Sequence, residues 1–194
     1  LYRMIDKKEF ELTLLSYDDS QNFDVNYNVE TVSRPYHIIQ FYKKMKCLLS
    51  EGKDIIHFHQ SYVNIIPILI AKLAGFKTII LHAHSSSIDD NRKIVRFLKT
   101  GLHKVGRFLL PYLVDTYIGC STKASEWMFP RKCIDSDSYY LLHNAIDLDL
   151  YDRNMNLGLE VRQKFNIPKD ALVVGHICRF TPVKNHPFII DMFK

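Results

Sequence analysis

Short apolar runs alternate with helix-patterned segments along this chain, and that alternation leaves few folds open. The runs DIIHF (54–58), KTIIL (77–81), DTYIG (115–119) and YYLL (139–142) are too short for helices and read as strands buried on both faces of a sheet. Between them lie helical patterns. Residues 36–50 place Ile38, Ile39, Tyr42, Met45 and Leu49 near one face, with Gly52 as the stop. Residues 62–74 form a second helix that Gly75 ends, 91–110 a long third, and Ser121 caps a short fourth that runs to Met128. Upstream, FELTLLSY (10–17) alternates like a strand and 18–28 is a polar loop. Strand–helix–strand order with short connections predicts an α/β fold, a doubly wound parallel sheet of Rossmann-like kind.

The composition turns polar around 147–168, with one short helix at 159–165, before a new strand, loop and helix begin at Ala171. We therefore expect one domain over 1–147, a linker over 148–170, and the truncated start of a second domain over 171–194. The first residues look like the end of a helix and the last like a helix cut short, so the chain reads as an internal piece of a longer protein. No signal-peptide layout and no apolar run of membrane-spanning length is present. Cys47, Cys120, Cys133 and Cys178 lack CxxC spacing and read as buried free thiols, which suits a reducing, cytoplasmic setting.

In open parallel sheets, ligands sit beyond the carboxyl ends of the strands. Those ends carry His59, Gln60 and Ser61; His82, His84 and Ser85; Cys120 and Ser121; His143 and Asn144. Polar groups thus converge on one edge. His57-x-His59 and His82-x-His84 each put two imidazoles on one strand face, a spacing that can chelate a divalent metal. No Cys or carboxylate cluster completes such a set. The expectation is therefore no metal, with His84 beside an anionic or hydroxylated substrate and His59, Ser85 and Asn144 as its acceptor-side or hinge neighbours.

On the long helix, Arg92, Lys93, Arg96, Lys99, His103, Lys104 and Arg107 project to one side, and no acid occurs in 91–110. Ile94, Val95, Phe97, Leu98, Leu102, Val105, Phe108 and Leu109 project to the other. Gly101 and Gly106 weaken a free-standing helix, so the apolar side should dock on the domain. The basic side is then either a solvated surface or an attraction to an anionic membrane or acceptor. The net charge of +5 suits an anionic partner. No interleaving of basic and aromatic residues marks a nucleic-acid groove.

Near the end, VVGHICRFTPVKNH (173–186) places Arg179 after a strand and Lys184 before a helix opened by Asn185, His186 and Pro187. An Arg fork, a Lys point charge and a helix start all favour phosphate.

Taken in order, DIIHFHQS, LAGFKTIILHAHSS, CSTKASEWMF, LLHNAIDLDLY and VVGHICRFTPVKNHPFIIDMF resemble family 4 glycosyltransferases of the GT-B fold. The likeness is closest to enzymes of capsular and exopolysaccharide synthesis. The resemblance implies an N-terminal acceptor domain facing a C-terminal domain that binds a nucleotide-sugar, with UDP or GDP as its nucleotide. It implies that Arg179 and Lys184 hold the donor diphosphate without a metal, that His84 lies near the reacting sugar, and that anomeric configuration is retained. It implies a lipid-linked or saccharide acceptor and a place at the inner membrane face. It also implies a glycine-rich loop and paired glutamates that this chain does not contain, so the piece should be inactive alone. Ala145 stands where the family pattern has Gly, an exchange that disfavours a positive φ. Two other readings compete: a metal-dependent hydrolase built on the His-x-His pairs, and a non-catalytic polysaccharide- or membrane-binding module.

Overall fold

The computed structural model describes residues 6, 8–17, 28–146, 148 and 155–193. The expected loop at 18–28 and the helix end at 1–6 fall almost wholly outside them. The chain divides into two units, Leu1–Ala145 and Ile146–Lys194.

The first unit carries two parallel sheets. β1 (Thr13–Ser16) pairs with β2 (Asn28–Thr31), a strand that the sequence reading missed and that starts where its polar loop ends. β3 (Ile55–Gln60), β4 (Thr78–Ala83), β5 (Thr116–Gly119) and β6 (Tyr139–Leu141) form a four-stranded sheet in sequential order, every pair parallel. The connections are α1 (Ile38–Ser50) ahead of β3, α2 (Ile65–Ala74), α3 (Lys93–Leu113), then α4 (Thr122–Met128) and α5 (Arg131–Ile134). Right-handed crossovers between successive parallel strands put such helices on one face of the sheet. The architecture is mixed α/β with parallel sheets, as the alternation predicts.

Local chemistry explains the helix ends. The Asn64 side chain accepts from Ile66 N–H, and Gly75 closes α2 with φ 109°, where a β-carbon would be strained. Ser121 Oγ accepts from Ala124 N–H to start α4. Tyr117 donates its hydroxyl to the Leu110 and Val114 carbonyls at 3.1 and 2.9 Å, tying the end of α3 to β5.

Strand alternation sorts the core. Ile56, Ile79, Leu81 and Tyr117 are buried together with Phe41, Met45, Ile68, Leu110, Met128 and Phe129. The opposite positions of β3, Ile55, His57 and His59, are exposed, so burial on both faces does not hold for that strand. α1 is also rotated from its expected setting. It buries Phe41, Met45 and Leu48, while Ile38 and Ile39 lie open. Its first turn is apolar nearly all round, and packing against α2 selects the i, i+4, i+7 stripe.

The second unit has α6 (Met155–Lys164), a 3-10 turn (Pro182–Lys184) and α7 (His186–Asp191). Residues 171–179 were expected to begin with a strand but have no regular structure. Strand ladders need a neighbour for their N–H and C=O groups, and no described residue supplies one.

Candidate active site

Because β3 to β6 all run the same way, their carboxyl ends share one edge. That edge carries His59 and Gln60, His84 and Ser85, Cys120 and Ser121, and His143 and Asn144. The register sets His59 opposite His82, and alternation sends His57, His59, His82 and His84 to one face. The four rings form one cluster. His59 Nδ1 and His84 Nε2 share a hydrogen bond of 2.7 Å. His57 stacks on His59 at 4.3 Å between centroids, and His82 lies 4.1 Å from His84. The main chain fixes the turn beyond β4, where His84 N–H donates to the Gln60 carbonyl at 3.1 Å. Ser85 Oγ, half-buried, bonds the Ser87 carbonyl at 3.1 Å. Asn144 is exposed three residues past β6, beside His143, whose Nδ1 meets the Cys120 carbonyl at 3.2 Å.

The environment favours neutral imidazoles. Desolvation, then repulsion from His59, His82 and His84, pulls His57 down to about 3, although part of its ring is open to solvent. Desolvation followed by His84 and His59 pulls His82 down to about 4. His59 and His84 shift the same way, again chiefly through desolvation. Neutral rings can accept a proton or ligate a metal. Side-chain nitrogens of His57, His59 and His82 all lie within 4.8 Å of one another. His82 is buried, and neither of its ring nitrogens has a hydrogen-bond partner.

Arg179 and Lys184 lie in the second unit, both exposed, and neither side chain has a hydrogen bond or ion pair with a described residue. The expected capping by Asn185 does not occur. Asn185 is left-handed, with φ 46°, and makes no side-chain cap bond, and α7 has only six residues. The positive charge at this turn is therefore carried by the two side chains, with no capped helix start beside them. Ala145 is not among the described residues with positive φ, so the exchange from Gly causes no strain. Sequence reasoning missed one cluster beside Arg179: Cys178 Sγ lies 2.9 Å from His176 Nε2 and 3.2 Å from His186 Nε2. The His-x-Cys spacing was its signal. Of the four cysteines only Cys133 is buried, against the expectation of buried thiols, and all four are free.

The basic helix is α3, and its orientation differs from expectation. Arg92 and Lys99 are held by Asp90, at 3.1 and 2.8 Å. Those two partners hold the Asp90 carboxyl well below the usual carboxylate range. Arg107 donates to the Trp127 and Phe129 carbonyls at 2.6 and 2.9 Å. His103 is buried, its Nδ1 accepting from Val63 N–H at 3.0 Å. Lys93, Arg96 and Lys104 remain exposed. The apolar side, expected to dock, is instead largely open, because the helix packs through His103, Gly106 and Leu110.

The chain is similar to known proteins across nearly all its length. The model of Glycosyltransferase Family 4 matches residues 1–150. The chain is also 26% identical to "Putative glycosyltransferase EpsF" of Bacillus subtilis (strain 168), over 99% of this chain and 52% of that protein. It spans about half the length of that relative. With most of its residues matched by the family model, the chain belongs to glycosyltransferase family 4.

Proposed function

We propose that the full protein is a retaining glycosyltransferase of GT-B architecture. It moves a sugar, a hexose by preference, from a UDP- or GDP-sugar to a lipid-linked or saccharide acceptor in capsular or exopolysaccharide synthesis at the cytoplasmic membrane face. The observation that carries this is the neutral His59–His84 pair on the carboxyl edge of a parallel sheet, inside the segment matched to a transferase family. The 1–147 region is the acceptor domain on this reading, and 171–194 opens the donor domain.

The chemistry follows from charge. As the bond from the anomeric carbon to the phosphate oxygen breaks, negative charge grows on the diphosphate. Arg179 and Lys184 are cations with no partner among the described residues, and fixed positive charge at that point lowers the barrier. The acceptor hydroxyl oxygen bonds to the anomeric carbon on the face the nucleotide leaves, and its proton goes to the departing phosphate. His84 orients the incoming hydroxyl. When His84 Nε2 donates to His59, Nδ1 carries the lone pair and can accept that hydrogen bond.

Steady-state transfer by the full protein tests the phosphate role. Arg179→Ala and Lys184→Ala should each lower turnover by about a hundredfold or more, a loss comparable to removing one oxyanion donor. Undiminished rates in both variants refute it.

A second reading has one observation in its favour: the His57, His59 and His82 nitrogens within 4.8 Å, with His82 otherwise unpartnered. These three imidazoles would serve as ligands of a zinc-type centre, whose chemistry is metal-assisted hydrolysis. Elemental analysis decides. Stoichiometric metal that survives dialysis and vanishes in His82→Ala supports this reading, whereas transfer activity in metal-free protein removes it.

A further inference from the structure

α3 has two opposed faces, and the fold uses only one. His103, Gly106 and Leu110 are buried against the domain, and a β-carbon at Gly106 would run into the Val63 side chain. This docking fixes the helix about its axis. At 100° per residue, Ile94, Phe97, Leu98, Val105, Phe108 and Tyr112 then fall on the outward side, within an arc of roughly 100°. Each is 59–78% exposed. The stripe they form is about 27 Å long at the rise of a helix. No described neighbour in the first unit covers it.

The charge beside the stripe has one sign. Lys93 and Lys104 lie along one edge of it, both exposed. Lys132 of α5 sits 4.9 Å above the Tyr112 ring at its far end. No Asp or Glu occurs between residues 91 and 114. A second copy laid on this face would bring these lysines toward one another with no acid in the helix to pair them. An apolar stripe edged by lysines instead matches the headgroup boundary of an anionic bilayer, where the aromatic and aliphatic groups enter the acyl region and lysines meet phosphate.

We propose that α3 docks the protein on anionic membranes, lying in the interface plane with Phe97 and Phe108 inserted and Lys93 and Lys104 at the headgroups. The surface differs from the one that charge alone picks out. Arg92 and Lys99 pair with Asp90, and Arg107 bonds the Trp127 and Phe129 carbonyls, so these cations already have partners, and the exposed apolar side supplies most of the binding.

Vesicle flotation of the full chain tests this without any activity assay. Vesicles of phosphatidylcholine mixed with phosphatidylglycerol should carry the protein upward, and phosphatidylcholine alone should carry much less. Phe97→Ser with Phe108→Ser should lower partitioning at least about tenfold while leaving circular dichroism and the melting temperature unchanged, since both side chains are exposed. Lys93→Gln with Lys104→Gln should lower it by about fivefold per lysine, and only with the anionic mixture. The proposal is overturned by wild-type protein that stays at the bottom of the gradient in both lipids, or by equal flotation of the Phe double variant. It is equally overturned if the wild type sediments as a dimer that the Phe substitutions dissolve, which would assign the stripe to a second copy.

Discussion

His103 decides which way a whole helix faces, and it does so through one nitrogen. Val63 donates its backbone N–H to Nδ1, and Trp127 stacks on the ring at 4.3 Å. A protonated Nδ1 cannot accept, and burial followed by the nearby Arg107 pulls the group down to about 4. The unfolded chain titrates near 6.5, so between about 6.5 and 4 it binds more protons than the folded one. Stability from this histidine is complete above that window and is lost as pH falls through it, by up to about 3 kcal/mol. Urea unfolding from pH 7 to 4.5 should show that decline, and His103→Gln should make it shallower, leaving the part that His57 and His82 contribute. Matching profiles in both proteins would contradict the assignment. The sequence placed His103 with the basic face of its helix. A neutral core histidine and a solvated cation share one letter, and only the neighbours tell them apart. The partners of Arg107, Lys99 and Arg92 were hidden for the same reason, because the Asp90 carboxylate and the carbonyls of Trp127 and Phe129 lie outside the helix pattern. The place of His84 just past β4 was legible, since a strand's carboxyl end is defined by chain order alone.

The two glycines of α3 make opposite predictions at the element scale. Gly106 abuts Val63, which is fully buried and has no room to move. Gly106→Ala should destabilise by about 1–3 kcal/mol through overpacking. Gly101 has open space around it, so Gly101→Ala should stabilise by about 0.5–1 kcal/mol through helix propensity alone. Thermal melts of the two variants check this, and shifts of the same sign would contradict the packing. Ile79→Ala, at a fully buried position of β4, should cost about 2–5 kcal/mol. The elements themselves were largely legible. Continuous apolar runs gave β3 to β6, Gly75 and Ser121 gave helix ends, and the long basic segment gave α3. What failed was rotation, in α1 and in α3. Periodicity locates an apolar arc, but these arcs are wider than the neighbouring surface can cover, and packing chooses which part is buried.

For the whole molecule, parallel pairing explains both the successes and the misses. A parallel strand is stable only beside another, so β3 to β6 form where four runs can assemble, and residues 171–179 are irregular where no described strand lies alongside. β2 escaped notice because NVET is short and polar, and only pairing with β1 makes it a strand. The family was legible from ordered segments, and the matched range supports it. The proposed transfer reaction makes a demand that no fold argument meets, namely the fate of the anomeric bond. Proton NMR of the first product formed by the full protein from a UDP- or GDP-sugar measures that directly. The account predicts a new glycosidic linkage with the anomeric configuration of the donor. A product of inverted configuration, or release of free sugar with no acceptor linkage, would contradict it.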